Sequence, residues 1–151
     1  SSDVCSSDLM FVTVWFGILT ISTGKVVAAN AGHEYPILKG ADGKFELFKD
    51  KHGLAVGAMD IAKYKDYEIT LKKGDSIFVY TDGVAEATDA QNELFGTDRT
   101  LDALNNLPGN DTQEEILKGV RKAVDVFVKE APQFDDLTML GLKYFGTGEE
   151  K

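Results

Sequence analysis

The stretch FVYTDGVAEATD, Phe78 to Asp89, decides how the rest of the chain is read. An apolar run rises to Asp82, breaks at once on Gly83, and continues into a small acidic segment. The run from Ser76 to Tyr80 has the pattern of a buried strand. A carboxylate at the mouth of such a strand, followed by glycine, is well placed to meet a cation, because the glycine lets the backbone approach closely and turn away. The competing reading is structural: an Asp at the start of a loop also serves as a turn or cap residue.

A second acidic pair bears on the choice. Asp135 and Asp136 stand immediately before LTMLGLKYF, which reads as the final strand. If that strand neighbours Ser76–Tyr80, the carboxylates of Asp82, Asp135 and Asp136 converge at one edge of a sheet. Such a cluster repels itself unless a cation or a proton intervenes.

The elements between and before these landmarks define the fold class. Phe11 to Ser22 is rich in β-branched and aromatic residues and apolar on both faces, which predicts a central strand containing Phe11, Trp15 and Phe16. Thr23-Gly24-Lys25 supplies a turn into a second strand, KVVAAN. Shorter strands follow at Tyr35–Lys39 and Lys44–Phe48, then a glycine-punctuated loop from His52 to Asp60, then an alternating strand at Tyr67–Leu71. Downstream of Asp89 the period changes. Asp98 to Asn106 reads as a short helix ended by Pro108-Gly109. Thr112 and Glu115 stand at capping-box spacing ahead of a helix whose apolar stripe is Leu117, Val120, Val124, Phe127 and Val128. Mostly antiparallel strands, then helices, then a last strand predict an α+β layered domain.

Composition narrows the function. The 151 residues are 43% apolar, enough for one real core, and 16 basic against 25 acidic residues leave a net charge of -9. A phosphate backbone is repelled by that balance, and no basic run exceeds Lys72-Lys73, so nucleic-acid binding is not expected. The longest apolar stretch, Met10–Leu19, is about half of what crosses a bilayer. The lone Cys5 makes no internal disulfide, and the N-terminus lacks a signal-peptide pattern, which gives a reducing, cytoplasmic setting as the default. Ser1–Leu9, with its repeated SSD, is read as a non-native or disordered leader, residues 10–146 as the domain, and 147–151 as a tail.

Five motifs in order, MFVTVWFGIL, ANAGHEYPIL, GLAVGAM, LKKGDSIFVYTDGVAEATD with ELFG, and FDDLTMLGLK, resemble the metal-dependent PPM (type 2C) protein serine/threonine phosphatases, specifically the bacterial SpoIIE/RsbU-like branch. The resemblance covers Met10 to Phe145. It implies a β-sandwich flanked by helices in α-β-β-α layers, with two Mn²⁺ or Mg²⁺ ions at one end. It carries metal-ligand roles onto Asp82 of the TDG motif and Asp135, the first aspartate of the DD motif. A water activated between the two ions would attack the phosphorus of phosphoserine or phosphothreonine, so no side-chain nucleophile is called for. Asp136 is then a supporting acceptor or a turn cap, and Gly83 a source of backbone freedom beside the site. His33, in the AGH motif, is a weaker candidate for acid–base work, since a His after a strand is more often structural.

The family's further metal-binding aspartates come from upstream of the MFVT motif, where this sequence has only Ser1–Leu9. Asp3 and Asp8 lie in a segment without resemblance and are not candidates. The expectation is therefore the C-terminal part of a phosphatase domain, incomplete at the N-terminus, with weak metal binding and little activity alone. Its implied substrate is a phosphorylated regulatory protein, such as a STAS-type anti-sigma-factor antagonist, and in the family it resembles a sensor domain often precedes the catalytic one. The alternative is a phosphatase-like module that binds a phosphoprotein without hydrolysing it. A haloacid-dehalogenase-type reading is disfavoured, because Tyr80 stands where that chemistry needs a nucleophilic aspartate.

Overall fold

The structure, a computed structural model, describes residues 12–50, 53–57, 63–109, 111–131 and 136–147. Two antiparallel sheets face each other. The first has the order β1-β2-β5, from β1 (Val14–Thr20), β2 (Lys25–Ala31) and β5 (Asp66–Thr70). The second has the order β4-β3-β6-β7, from β3 (Ile37–Lys39), β4 (Phe45–Leu47), β6 (Ser76–Tyr80) and β7 (Met139–Lys143). The helices are α1 (Asp82–Ala85), α2 (Gly96–Asn105) and α3 (Gln113–Val128).

Two cores hold these layers. Val26, Ala28, Ile69, Leu71, Ile77 and Tyr144 pack between the sheets, with Trp15 and Leu19 partly buried against them. Phe78, Tyr80, Ile116, Val120 and Val124 belong to the second core, which joins the outer face of the second sheet to the helices. β6 is buried along its whole length because it contributes to both: Ile77 faces the sandwich interior while Phe78 and Tyr80 face the helices. That double burial is why it reads as a continuous apolar run.

The predicted elements are present, with ends shifted by up to three residues, and the architecture is the expected α+β sandwich flanked by helices. α3 starts at the expected place. Thr112 Oγ1 accepts from the Glu115 N–H at 3.3 Å and Glu115 Oε2 accepts from the Thr112 N–H at 2.8 Å, closing the capping box. Ile116, outside the expected stripe, is buried deeper than Leu117 because the stripe is rotated toward β7.

Two expectations are corrected. β1 is not central: it pairs only with β2 and forms an edge of the first sheet among the described residues. Its apolar character is divided between faces. Trp15 and Leu19 point into the sandwich, whereas Phe16 and Ile18 are 59% and 58% exposed, so Phe16 is not a core residue here. Secondly, Asp82 does not simply turn away from the sheet but begins α1, a single helical turn whose Gly83, Val84 and Ala85 are buried. Phe11, His52 and the Gln133–Asp135 part of the acidic turn lie outside the described residues.

Candidate functional site

The end of β6 is where the sequence places its chemistry, and the fold explains how the partners reach it. β6 and β7 are hydrogen-bonded neighbours, with Tyr80 opposite Met139. One step further, the Thr81 N–H donates to the Thr138 carbonyl at 3.0 Å and the Thr138 N–H donates back to Thr81 Oγ1 at 3.2 Å. The hydroxyl also reaches the Asp136 carbonyl, at 3.4 Å. Thr81 thus anchors the entry to β7 beside the exit from β6, and Asp82 and Asp136 emerge at the same end of the second sheet. Both side chains are exposed, whereas Gly83 is buried under them. Asp135 lies outside the described residues.

The first sheet brings one further candidate to this end. β2 finishes at Ala31, and Gly32 turns the chain at φ +71°, a left-handed conformation that favours glycine. A Cβ there would stand 2.8 Å from the Ala55 nitrogen, so the turn also depends on the absence of a side chain. His33 follows. Its backbone N–H donates to Asn30 Oδ1 at 2.8 Å, and its Nδ1 lies 3.4 Å from Thr13 Oγ1. Partial burial holds the His33 pKa below its ordinary value; the Asp82 carboxylate, the Tyr80 carbonyl and the Asp50 carboxylate act against that shift without reversing it. The ring is therefore mostly neutral at neutral pH and stands within the electrostatic reach of Asp82. Beside it, a crevice of about 310 Å³ opens between the sheets, lined among others by Trp15, His33, Tyr80, Thr81 and Thr138.

Behind His33 lies a set of polar side chains that sequence motifs did not single out. Asn30 is 1% exposed. Its amide donates to Asp50 Oδ2 at 3.0 Å and to Oδ1 at 3.3 Å, while its oxygen holds the His33 N–H. Tyr67 Oη donates to Asp50 Oδ2 at 2.5 Å, and Trp15 Nε1 donates to Tyr67 Oη at 2.7 Å. Asn30 thus links Asp50 to the His33 backbone. Asp50 itself lies outside those motifs, two residues after the strand Lys44–Phe48.

Carboxylate and carbonyl oxygens suit hard cations such as Mg²⁺ and Mn²⁺. The donor type at Asp82 and Asp136 therefore fits a divalent ion. Among the described residues, however, no group of three or more His, Cys, Asp or Glu side chains is placed to hold one.

Comparison with known proteins agrees with this fold. The fold is that of PP2C-type phosphatase domains. It matches the RsbU and RsbW domains of Rv1364c from Mycobacterium tuberculosis with a TM-score of 0.65 and 21% identity, over 87% of this chain and 35% of that one. It matches the phosphatase domain of SpoIIE from Bacillus subtilis, presoaked with Mn, with a TM-score of 0.67 and 16% identity, over 95% of this chain and 59% of that one. At the sequence level, Protein IcfG from Synechocystis is 31% identical over 133 residues, 88% of this chain. The chain spans 20% of the length of that relative. The family described as Stage II sporulation protein E (SpoIIE) matches residues 2–145, and the chain belongs to that family.

Proposed function

We propose that this chain is the C-terminal part of a metal-dependent phosphoprotein phosphatase domain, in which Asp82 and Asp135 hold divalent cations and Asp136 and Gly83 support them. The observation that carries the reading is the Thr81–Thr138 junction, which sets the Asp82 and Asp136 ends of two neighbouring strands side by side. Divalent cations bound there would supply a lowered water pKa and compensation for charge on the phosphoryl oxygens. The chain's own contribution is orientation. Thr81 fixes the two carboxylate-bearing segments, and Gly83 is buried in the turn of α1 that Asp82 begins. The crevice beside His33 offers space in which a phosphorylated side chain could lie.

The substrate class is phosphoserine or phosphothreonine on a regulatory protein, with a STAS-type anti-sigma-factor antagonist as the first choice to assay. Because the described residues give only part of a metal shell, full activity is assigned to the complete domain and slow turnover to this chain alone. Phosphate release from a phosphoserine protein, measured for the complete domain with and without Mn²⁺, tests this. Mn²⁺-dependent release that is lost in Asp82→Asn is expected. Undiminished release by that variant would remove Asp82 from the site, and phosphoprotein binding by the complete domain without any release would favour a non-catalytic binding module.

A further inference from the structure

We propose that Asp50 is a positioning residue for the candidate site: by gathering Asn30, Tyr67 and, through Tyr67, Trp15 around one carboxylate, it fixes the Asn30–His33 turn against the Tyr80–Asp82 end of β6. The inference rests on the reading of Asp82 as a metal ligand and extends it to residues outside the motifs.

The argument begins with distances across the chain. Trp15 is on β1, Asn30 on β2, Tyr67 on β5, and Asp50 on the segment that follows β4. β2 and β5 therefore meet on the one carboxylate, and β1 is joined to it through Tyr67. The Asp50 segment is itself fixed at both ends of the contact. Phe48 donates its N–H to the Pro36 carbonyl at 2.9 Å and stacks on Tyr67 with ring centroids 5.5 Å apart, while the Gly53 N–H donates to the Asn30 carbonyl at 2.9 Å. Asn30 is then the hinge between this cluster and the site. Its amide nitrogen donates to Asp50 at 3.0 Å and, at the longer distance of 3.4 Å, to the Glu34 carbonyl, while its oxygen faces the His33 N–H, so the carboxylate is the closer of the two acceptors that orient the amide, and the amide sets where His33 sits.

Such indirect orientation is worth more than its bond count in a partly dry site. A buried amide whose acceptor is removed either flips or is left unpaired, and either outcome costs the bond it made at its other end. In metal sites the groups that orient ligands typically change affinity by about ten- to a hundredfold when lost. Asp50 is too far along this relay to be a ligand itself: the bonds it accepts from Tyr67 and Asn30 place it behind His33.

Replacing Asp50 by Asn keeps the shape but offers the Asn30 and Tyr67 donors one good acceptor in place of two. In a ¹⁵N-labelled sample of the 151-residue chain, hydrogen exchange at the His33 amide reports the turn, and Mn²⁺ line broadening at the Gly83 and Val84 amides reports the site. The expected result for folded Asp50→Asn is faster exchange at His33 and an Mn²⁺ concentration for half-broadening raised about tenfold or more. A merely structural Asp50 would lower the melting temperature and leave that concentration unchanged, which would overturn the proposal. If Asp50→Asn does not fold, Tyr67→Phe decides, since it removes one donor and keeps the charge; a folded Tyr67→Phe with unaltered His33 exchange and unaltered Mn²⁺ response overturns the proposal equally. Absence of broadening in the parent chain refutes Asp82 as a metal ligand and the role of Asp50 with it, whereas broadening that Asp50→Asn leaves untouched refutes only the latter.

Discussion

Thr81 and Thr138 exchange two hydrogen bonds at the end of the β6–β7 pair, one backbone to backbone at 3.0 Å and one through the Thr81 hydroxyl at 3.2 Å. A strand pair can end without a side-chain acceptor, so the hydroxyl marks a junction whose geometry matters. Thr81→Val keeps the branched shape and removes the acceptor. The expected loss is about 1 kcal/mol of stability, as for one net hydrogen bond. Thr81→Ser, which loses the methyl but retains the hydroxyl, should keep the bond that Thr81→Val removes. Urea unfolding of the three proteins measures this. Equal stability of parent and Thr81→Val would show that water replaces the hydroxyl without cost.

Asp82 is exposed and begins α1 as the acidic residue of its first turn, while the N-cap residue, Thr81, makes no side-chain cap bond to that helix. Asp82→Asn should leave metal-free stability equal or raise it, since it removes charge from an acidic end of the molecule. The Mn²⁺-dependent rise in melting temperature should shrink in the same variant. Stabilisation by a ligand follows RT ln(1 + [L]/Kd), which is about 2.7 kcal/mol at a hundredfold excess. With a partial carboxylate shell and Kd in the millimolar range, the parent should gain about 1 kcal/mol or less. Calorimetry with and without millimolar Mn²⁺ tests both statements, and unfolding of metal-free Asp82→Asn would make Asp82 a structural turn residue.

What the sequence discloses and what it hides follow from the range of the interactions. The buried β6 run, the final strand after the acidic pair and the Thr112–Glu115 capping box were legible because each is written in consecutive or near-consecutive residues. Their side-by-side placement at one sheet end was an inference from motif order. α1 was not legible: one helical turn over Asp82–Ala85 has no periodicity to detect. β1 was read as central because an apolar pattern records what a face favours, and says nothing of which neighbours stand beside it in the fold. The Asp50 relay was invisible for a related reason. Its members are 17 and 52 positions apart along the Tyr67 bonds, and none of its residue types is unusual alone.

The capping box gives a prediction independent of the site. Thr112 and Glu115 satisfy two N–H groups at the start of α3, the helix whose Ile116, Val120 and Val124 close the core over β6 and β7. Thr112→Ala removes the side-chain acceptor and should cost about 1 kcal/mol, with a range of about 0.5 to 2. By contrast, breaking the neighbouring Lys118–Glu114 ion pair, both of whose side chains are mostly exposed, should change stability little. Thermal unfolding of Thr112→Ala and Lys118→Gln compares them directly, and a larger effect at Lys118 would reverse the ranking argued here.

Tyr67 supplies a pH signature for the relay. Its pKa is raised well above the ordinary value of 10, first by burial of the phenol and then by the hydrogen bond it donates to Asp50. A folded-state pKa higher than the unfolded one means that the folded chain holds its proton longer. The stabilisation is complete below the unfolded value and is lost as pH rises past it toward the folded value, because the unfolded chain ionises first and so gains. Tyr67→Phe removes this dependence along with the bond. The parent should therefore be more stable than Tyr67→Phe by a nearly constant margin up to about pH 9, and the margin should shrink steadily above about pH 10. Tyr80, whose pKa burial also raises, is present in both proteins and cancels from the difference. Denaturant unfolding of the pair from pH 7 to pH 11 gives the margin at each point. A margin that stays flat through pH 11 would mean that the Tyr67 phenol is not held by Asp50 in solution, and would take the first link out of the chain that leads from β5 to His33.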